Sequence, residues 1–310
     1  MFVFKKELQV LNIAGIKIGG QPGERPAVLA GTIFYERHSI VTDAKKGLFD
    51  RKAAEALINR QEACADETGN PCLVHIYGST DEAIIRYIDF VCNVSDSPFL
   101  LDSTEAAARI AAVRYVSEVG IADKSVYNSL NMSVTPGERQ ALSDSDVDAS
   151  IVLGFNAMDS SLAGRMALLD SGGGVFDRGL LAIAGECGIK KILIDPSITP
   201  MGSGAGVALR MSLVAKAKWG LPITSGIHNA PSSWTWLRAK KQEEPMIYKV
   251  CSVGSACLAL AAAADLVLYG PIENARFVFP LAAMSDIMLA ESNADLDISQ
   301  VEGHPIQKLV

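Results

Sequence analysis

No two of the six cysteines stand in C-x-x-C spacing, and there is no H-E-x-x-H. A zinc finger or ribbon is excluded by the first absence and a helix-borne metalloprotease site by the second. His38, His75, His228 and His304 lie too far apart for a local metal motif. No bound metal is expected, although a site assembled from distant residues stays open. A chain of 310 residues needs no disulfide framework, so the thiols are expected to be reduced and mostly buried. Positive charge is in deficit, with 28 Lys and Arg against 35 Asp and Glu and a net charge of −7. No basic field is available to gather phosphates, so nucleic acid is not the main partner. No apolar run reaches the roughly 20 residues of a membrane span; residues 251–264 come nearest and stop at Asp265. Lys5, Lys6 and Glu7 interrupt the first ten residues, so no signal peptide and a cytoplasmic placement are expected. What is present is a hydrophobic content of 49%, enough for a large core and too much for disorder.

Short apolar runs alternate with alanine-rich helical stretches. Strands are expected over 27–34, 72–77, 99–101, 125–127, 149–155, 191–194, 222–227 and 266–269. Helices are expected over 51–68, 81–94, 104–119, 179–187, 207–219, 252–264 and 274–292, with Ser103 as the N-cap of the third. Eight strands alternating with helices demand a parallel sheet covered by helices. The count and the length fit a single (β/α)₈ TIM barrel of α/β class spanning 1–310, with an open doubly wound sheet as the alternative. Residues 3–17 read as a hairpin turning at Ala14-Gly15, so 1–20 are expected to cap the barrel. Gly202-Ser203-Gly204-Ala205-Gly206 follows a strand and opens a helix, but it is G-x-G-x-G and does not match the dinucleotide fingerprint. A helix N-terminus there suits an anionic or polar ligand tail. Gly172-Gly173-Gly174 reads as a loop, and neither a P-loop nor a G-x-S-x-G elbow is present.

The informative feature is what ends the strands. Successive runs finish in Asp102 (FLLDST), Asn128 (YNSLN), Asn156 (IVLGFN), Asp195 (ILIDPS) and Asn229 (ITSGIHN). In a barrel all five gather at the C-terminal rim. Any one of them could merely cap a helix or make a turn. Five in sequence favour a ligand site. Two carboxylates and three carboxamides suit a neutral planar heterocycle with adjacent N–H donors, as a pterin has, better than a phosphate.

FLLDST, YNSLN, ILIDPS and GIHN resemble the pterin-binding barrels of corrinoid-dependent methyltransferases. In the methyltetrahydrofolate:corrinoid iron–sulfur protein methyltransferases, DST, NS, IDP and SN occur in the same order. A closer likeness runs nearly end to end through IGGQPGERP (18–26), GTIFYERHSIV (31–41), ETGNP (67–71), RYIDFV (86–91), LYGPIENA (268–275) and HPIQKLV (304–310). These segments are similar to the H-subunit family of tetrahydromethanopterin S-methyltransferase. That family has a bacterial soluble branch of MtgA-like methylcobamide:tetrahydrofolate methyltransferases, acting in glycine betaine demethylation, and the reading leans to this branch.

The resemblance implies that Asp102, Asn128 and Asp195 hold the pterin ring. It puts Asn229 beside N5 as the catalytic residue, and Gly226 where the ring approaches the backbone. Asn156 is assigned to the pterin less firmly. His228 departs from the iron–sulfur relatives, which carry Ser there, and is expected to stack on or hydrogen-bond the ligand, or to be a structural rim residue. Ser232, Trp234 and Trp236 are expected either to line a groove for the aminobenzoyl tail or to be structural. The implied reaction moves a methyl group between a corrinoid (cobalamin) cobalt, supplied by a carrier protein, and N5 of tetrahydrofolate. The resemblance also implies a homodimer. Two other readings stand beside it: a tetrahydromethanopterin-using component of a membrane methyltransferase complex, and a non-catalytic pterin-binding module. Dihydropteroate synthase shares the pterin barrel but resembles a motif set with basic residues at late strand ends. Here those ends are Asn229 and Tyr269-Gly270.

Overall fold

The computed structural model describes residues 2–310. Strands β1 (Val10–Ile13) and β2 (Ile16–Gly19) pair antiparallel around Ala14 and Gly15, both at positive φ. That is the turn a two-residue hairpin needs, and Asn12 Oδ1 closes it by accepting from the Gly15 N–H at 2.9 Å. Then come β3 (Val28–Ile33), a small hairpin β4 (Val41–Asp43) and β5 (Leu48–Phe49), α1 (Arg51–Thr68), β6 (Cys72–Tyr77) and α2 (Asp81–Val94). The chain continues through β7 (Phe99–Asp102), α3 (Ala106–Glu118), β8 (Ser125–Leu130), α4 (Pro136–Ser143), β9 (Ala149–Leu153), α5 (Leu162–Ser171) and α6 (Leu180–Glu186). It closes with β10 (Lys191–Asp195), α7 (Ala205–Trp219), β11 (Thr224–Ser225), α8 (Asn229–Ser233), α9 (Thr235–Glu243), α10 (Pro245–Ala261), β12 (Leu266–Pro271), α11 (Ala275–Ser292) and α12 (Pro305–Leu309).

Eight strands form one parallel sheet in the order β10-β9-β8-β7-β6-β3-β12-β11. A parallel bridge between Ile194 and Ile223 joins the two ends, so the sheet closes into the (β/α)₈ barrel. Successive strand residues face opposite sides. One set (among them Leu29, Val74, Leu101 and Val267) packs outward beneath the helices. The other set (Val28, Ala30, Leu73, Leu100, Val126, Ile151, Leu193, Leu266, Leu268) fills the interior, where Leu11, Ile13 and Ile18 of the hairpin plug its lower end.

The helices α1 and α2 match their expected bounds. Helix α3 starts two residues late: its N-cap is Glu105, and the Ser103 hydroxyl instead accepts the Glu105 N–H at 3.0 Å. Strand β11 shrinks to two residues. Pro222 lacks a donor, and the Ile223 N–H goes to Asp265 Oδ2 at 2.7 Å rather than to a neighbouring strand. Helix α10 begins at Pro245, well before the expected start at 252, because Pro at the first helical position suits a helix entry. Of the cysteines only Cys72 and Cys187 are buried; the other four are half-buried, and all six are free thiols. Among the described residues no helix is long and apolar enough to cross a membrane.

Candidate active site at the carboxyl ends of the strands

The interior of the barrel changes character one layer above its plug. Two residues beyond Ala30, Leu73, Leu100, Val126 and Leu193, on the same inward face, stand Thr32, His75, Asp102, Asn128 and Asp195. Strand periodicity therefore brings five polar side chains to one level at the mouth, over an apolar floor. Asp102 and Asn128 are directly paired in the β7–β8 register.

His75 joins three of these strands. Its Nε2 lies 2.7 Å from Asp102 Oδ2, its Nδ1 2.9 Å from Thr32 Oγ1, and Asn128 Nδ2 approaches Nε2 at 3.5 Å. The imidazole is buried, whereas the Asp102 side chain keeps 28% of its surface open.

Asp195 ends β10 on the opposite wall. Ser197 donates its backbone N–H to Asp195 Oδ1 at 2.6 Å, and the Gly226 N–H donates to the same carboxylate. Burial pushes this carboxyl up to about 7, against those two bonds and the charge of Arg165, which pull it down. The Arg165 guanidinium is completely buried and holds the loop after β10. It donates to the carbonyls of Pro196 at 2.6 Å, Ser197 at 3.1 Å and Ser160 at 3.0 Å. Its Nη2 has no partner.

The loop after β11 completes the rim. Gly226 accepts the Asn229 N–H at 3.0 Å, and a Cβ on Gly226 would stand 3.2 Å from Asn229 Nδ2. Asn229 itself, the first residue of α8, is exposed at the mouth. His228 donates Nδ1–H to the Leu268 carbonyl at 2.8 Å, because a carbonyl can only accept. Nε2 is then left as a bare acceptor. Burial drives the His228 pKa down to about 4, so the ring is neutral. It lies against Gly270, where a Cβ would come within 2.8 Å of the ring. Trp234 and Trp236 lie 4.8 Å apart just beyond, and Trp236 is exposed.

One expected site residue goes elsewhere. Asn156 is fully buried, and its amide donates to the Gly164 and Gly173 carbonyls while its oxygen accepts the Met158 and Asp159 N–H groups. All four hydrogen-bonding positions of the carboxamide are used within the chain. It lies three residues past the end of β9 and out of phase with Ile151 on the inner face, so it ties the β9–α5 loop together rather than facing the mouth. Conversely, spacing-based reading passed over His75, Thr32 and Arg165. The signal for the first two was there: His75 shares the phase of Leu73, and Thr32 that of Ala30.

The family model of the tetrahydromethanopterin S-methyltransferase MtrH subunit matches residues 6–301. The chain belongs to the MtrH family. It is 64% identical over 310 residues to the putative mtx methyltransferase H-subunit of Methanosarcina mazei, with both chains covered in full. It is 53% identical over 310 residues, again with full coverage of both, to the tetrahydromethanopterin S-methyltransferase H-subunit of Methanothermobacter marburgensis. These relatives are archaeal, and nothing in them supports the narrower expectation of a bacterial soluble branch. Among solved structures, Yersinia pestis dihydropteroate synthase superposes with a TM-score of 0.60 at 13% identity, covering 92% of this chain and 98% of that one. Xanthomonas albilineans dihydropteroate synthase in complex with 7,8-dihydropteroate gives 0.55 at 19%, covering 93% and 99%. At such identities the likeness concerns the barrel alone.

Proposed function

We propose that this MtrH-family chain binds a reduced pterin of the tetrahydromethanopterin type at the barrel mouth and moves a methyl group between its N5 and a corrinoid cobalt. The observation that carries this reading is the polar layer of Asp102, Asn128 and Asp195 over an apolar floor, with Asn229 exposed beside it. Carboxylates accept the N–H donors of a pterin edge, and carboxamides both donate and accept. The names of the relatives favour tetrahydromethanopterin over tetrahydrofolate, so the folate expectation is the less supported one. The relatives are described as subunits, and the corrinoid would accordingly arrive on a partner protein. A homodimer remains part of the same proposal.

In the direction toward the pterin, the N5 lone pair attacks the cobalt-bound methyl carbon. The carbon–cobalt bond breaks with its electron pair staying on cobalt as Co(I), and N5 loses its proton to solvent. Asp102, Asn128 and Asp195 orient the ring, and Asn229 meets N5 in either protonation state by turning its amide. Orientation of two bound reactants is the main catalytic contribution. Asn128 and Asp195 hold the ring from two strands with only β9 between them, while the neutral His228 offers its Nε2 acceptor at the same rim.

Calorimetric titration with tetrahydromethanopterin and with tetrahydrofolate tests the reading. Tighter binding of tetrahydromethanopterin, weakened by Asp195→Ala, is the expected result. Absence of binding to either pterin would overturn it.

A further inference from the structure

Resting on the pterin-binding reading, we propose that His75 is a positioning residue that fixes the Asp102 carboxylate so that one oxygen alone is presented to the ligand. The direction of each bond follows from chemistry. The ionised carboxylate has no proton to give, so Nε2–H donates to Asp102 Oδ2 across 2.7 Å. In the neutral tautomer with its one N–H on Nε2, Nδ1 is an acceptor, and the Thr32 hydroxyl fills it across 2.9 Å. Thr32, His75 and Asp102 therefore form one directed chain across β3, β6 and β7.

The middle of this chain is buried and its Asp102 end is open. His75 is 5% exposed, while the Asp102 side chain is 28% exposed. Oδ2 is engaged by His75, and Oδ1 has no hydrogen-bond partner among the described residues, which leaves it for the ligand. Burying an imidazole at this level costs free energy unless its nitrogens are satisfied. Here both nitrogens are satisfied by side chains of the polar layer, and neither bonds to the backbone. Their placement does nothing to hold the sheet together, whose own ladder runs β3–β6–β7 through the main chain. The same ring lies beside the Asn128 amide at 3.5 Å, so it also limits where that carboxamide can turn. Asp102 thus contributes a single preset acceptor, and the ligand meets it with one N–H donor. Without His75 the carboxylate would be free to rotate and would no longer present one fixed oxygen.

The test compares pterin affinity, the single-turnover methyl-transfer rate at saturating pterin, and the melting temperature for wild type, His75→Ala, His75→Gln and Thr32→Val. His75→Ala is expected to weaken tetrahydromethanopterin binding about tenfold or more, the scale of one charge-assisted hydrogen bond. The saturated rate should fall far less. His75→Gln, whose amide can still donate to Oδ2, should recover most of the affinity. Thr32→Val should lose severalfold in affinity by releasing the tautomer. If wild type binds pterin and a folded His75→Ala binds it equally well, the proposal is wrong and the pterin site survives. Gln failing to improve on Ala would overturn it too. Should His75→Ala not fold, wild-type affinity in Thr32→Val together with poor affinity in a folded His75→Gln would count against it. A wild type that binds no pterin removes the site reading itself and this inference with it.

Discussion

Ser197 turns its backbone N–H onto the Asp195 carboxylate at 2.6 Å, and it does so with φ at +55°. Few non-glycine residues occupy that region, and here the conformation gives a buried carboxylate its main donor. Arg165 holds the same turn from behind through the Pro196 and Ser197 carbonyls. One of the three proposed ring-holding groups therefore depends on a loop fixed by a buried cation.

The first prediction concerns pH. With its pKa pushed up to about 7, Asp195 gains a proton in the free protein as pH falls through neutrality. A pterin edge presenting N–H donors prefers the ionised form. Pterin affinity should therefore fall by about tenfold per pH unit well below 7. Asp195→Asn should bind more weakly at pH 8 and lose most of this dependence. Titrations at pH 6, 7 and 8 for both proteins check it.

A second prediction concerns stability. Asp286 is buried in α11, where it accepts the Ala27 N–H at 3.0 Å and the Asn70 amide at 2.6 Å. Burial raises its pKa to about 7, above an unfolded value of roughly 3.9. An acid with a raised folded pKa contributes stability that is full below the unfolded value and lost as pH rises through the folded one. The ligand-free protein should therefore melt lower at pH 8 than at pH 6. Asp286→Asn should narrow that gap, as read by calorimetric scans at the two pH values.

Arg165 supplies the third. Removing a buried charge that satisfies three loop carbonyls should cost about 3–5 kcal/mol. Arg165→Met should lower the urea midpoint accordingly and weaken pterin binding through the Ser197 turn. Arg165→Lys should rescue little, since a single ammonium cannot reproduce the planar fork. Urea unfolding of the three proteins, paired with pterin titration, measures both effects.

The fourth separates two asparagines. Asn229→Ala should lower the transfer rate by about a hundredfold while changing pterin affinity much less. Asn156→Ala should do the reverse of a catalytic change: a loss of about 1–3 kcal/mol in stability, with the pterin affinity of the folded molecules intact. Equal losses of rate and affinity in Asn229→Ala would reduce that residue to a binding role.

The barrel was legible because its strands are short apolar runs between helices with clear stops, such as Gly69 after α1 and Gly220 after α7. The strand ends gave Asp102, Asn128 and Asp195 for the same reason: a polar residue directly after an apolar run marks the rim. The rule failed at Asn156, because position after a strand says nothing about phase. Only alternation within the strand separates the inner face from the loop. It also hid His75, which lies inside a strand and reads as part of an apolar run. Helices α4, α5, α8 and α9 are not among the expected ones; α9, for one, buries only Leu237 and lacks the apolar stripe of a core-facing helix. Arg165 could not be read at all, since its partners are backbone carbonyls brought together only by the closed barrel.

The most direct test of the central claim is the visible spectrum of a methylated corrinoid mixed anoxically with this protein and tetrahydromethanopterin. Both methylcobalamin and a methylated corrinoid protein should be tried as donors. The account predicts conversion to the Co(I) spectrum that requires protein and pterin together and is slowed strongly in Asn229→Ala. Tight pterin binding with no conversion from either donor would contradict it and leave a binding module.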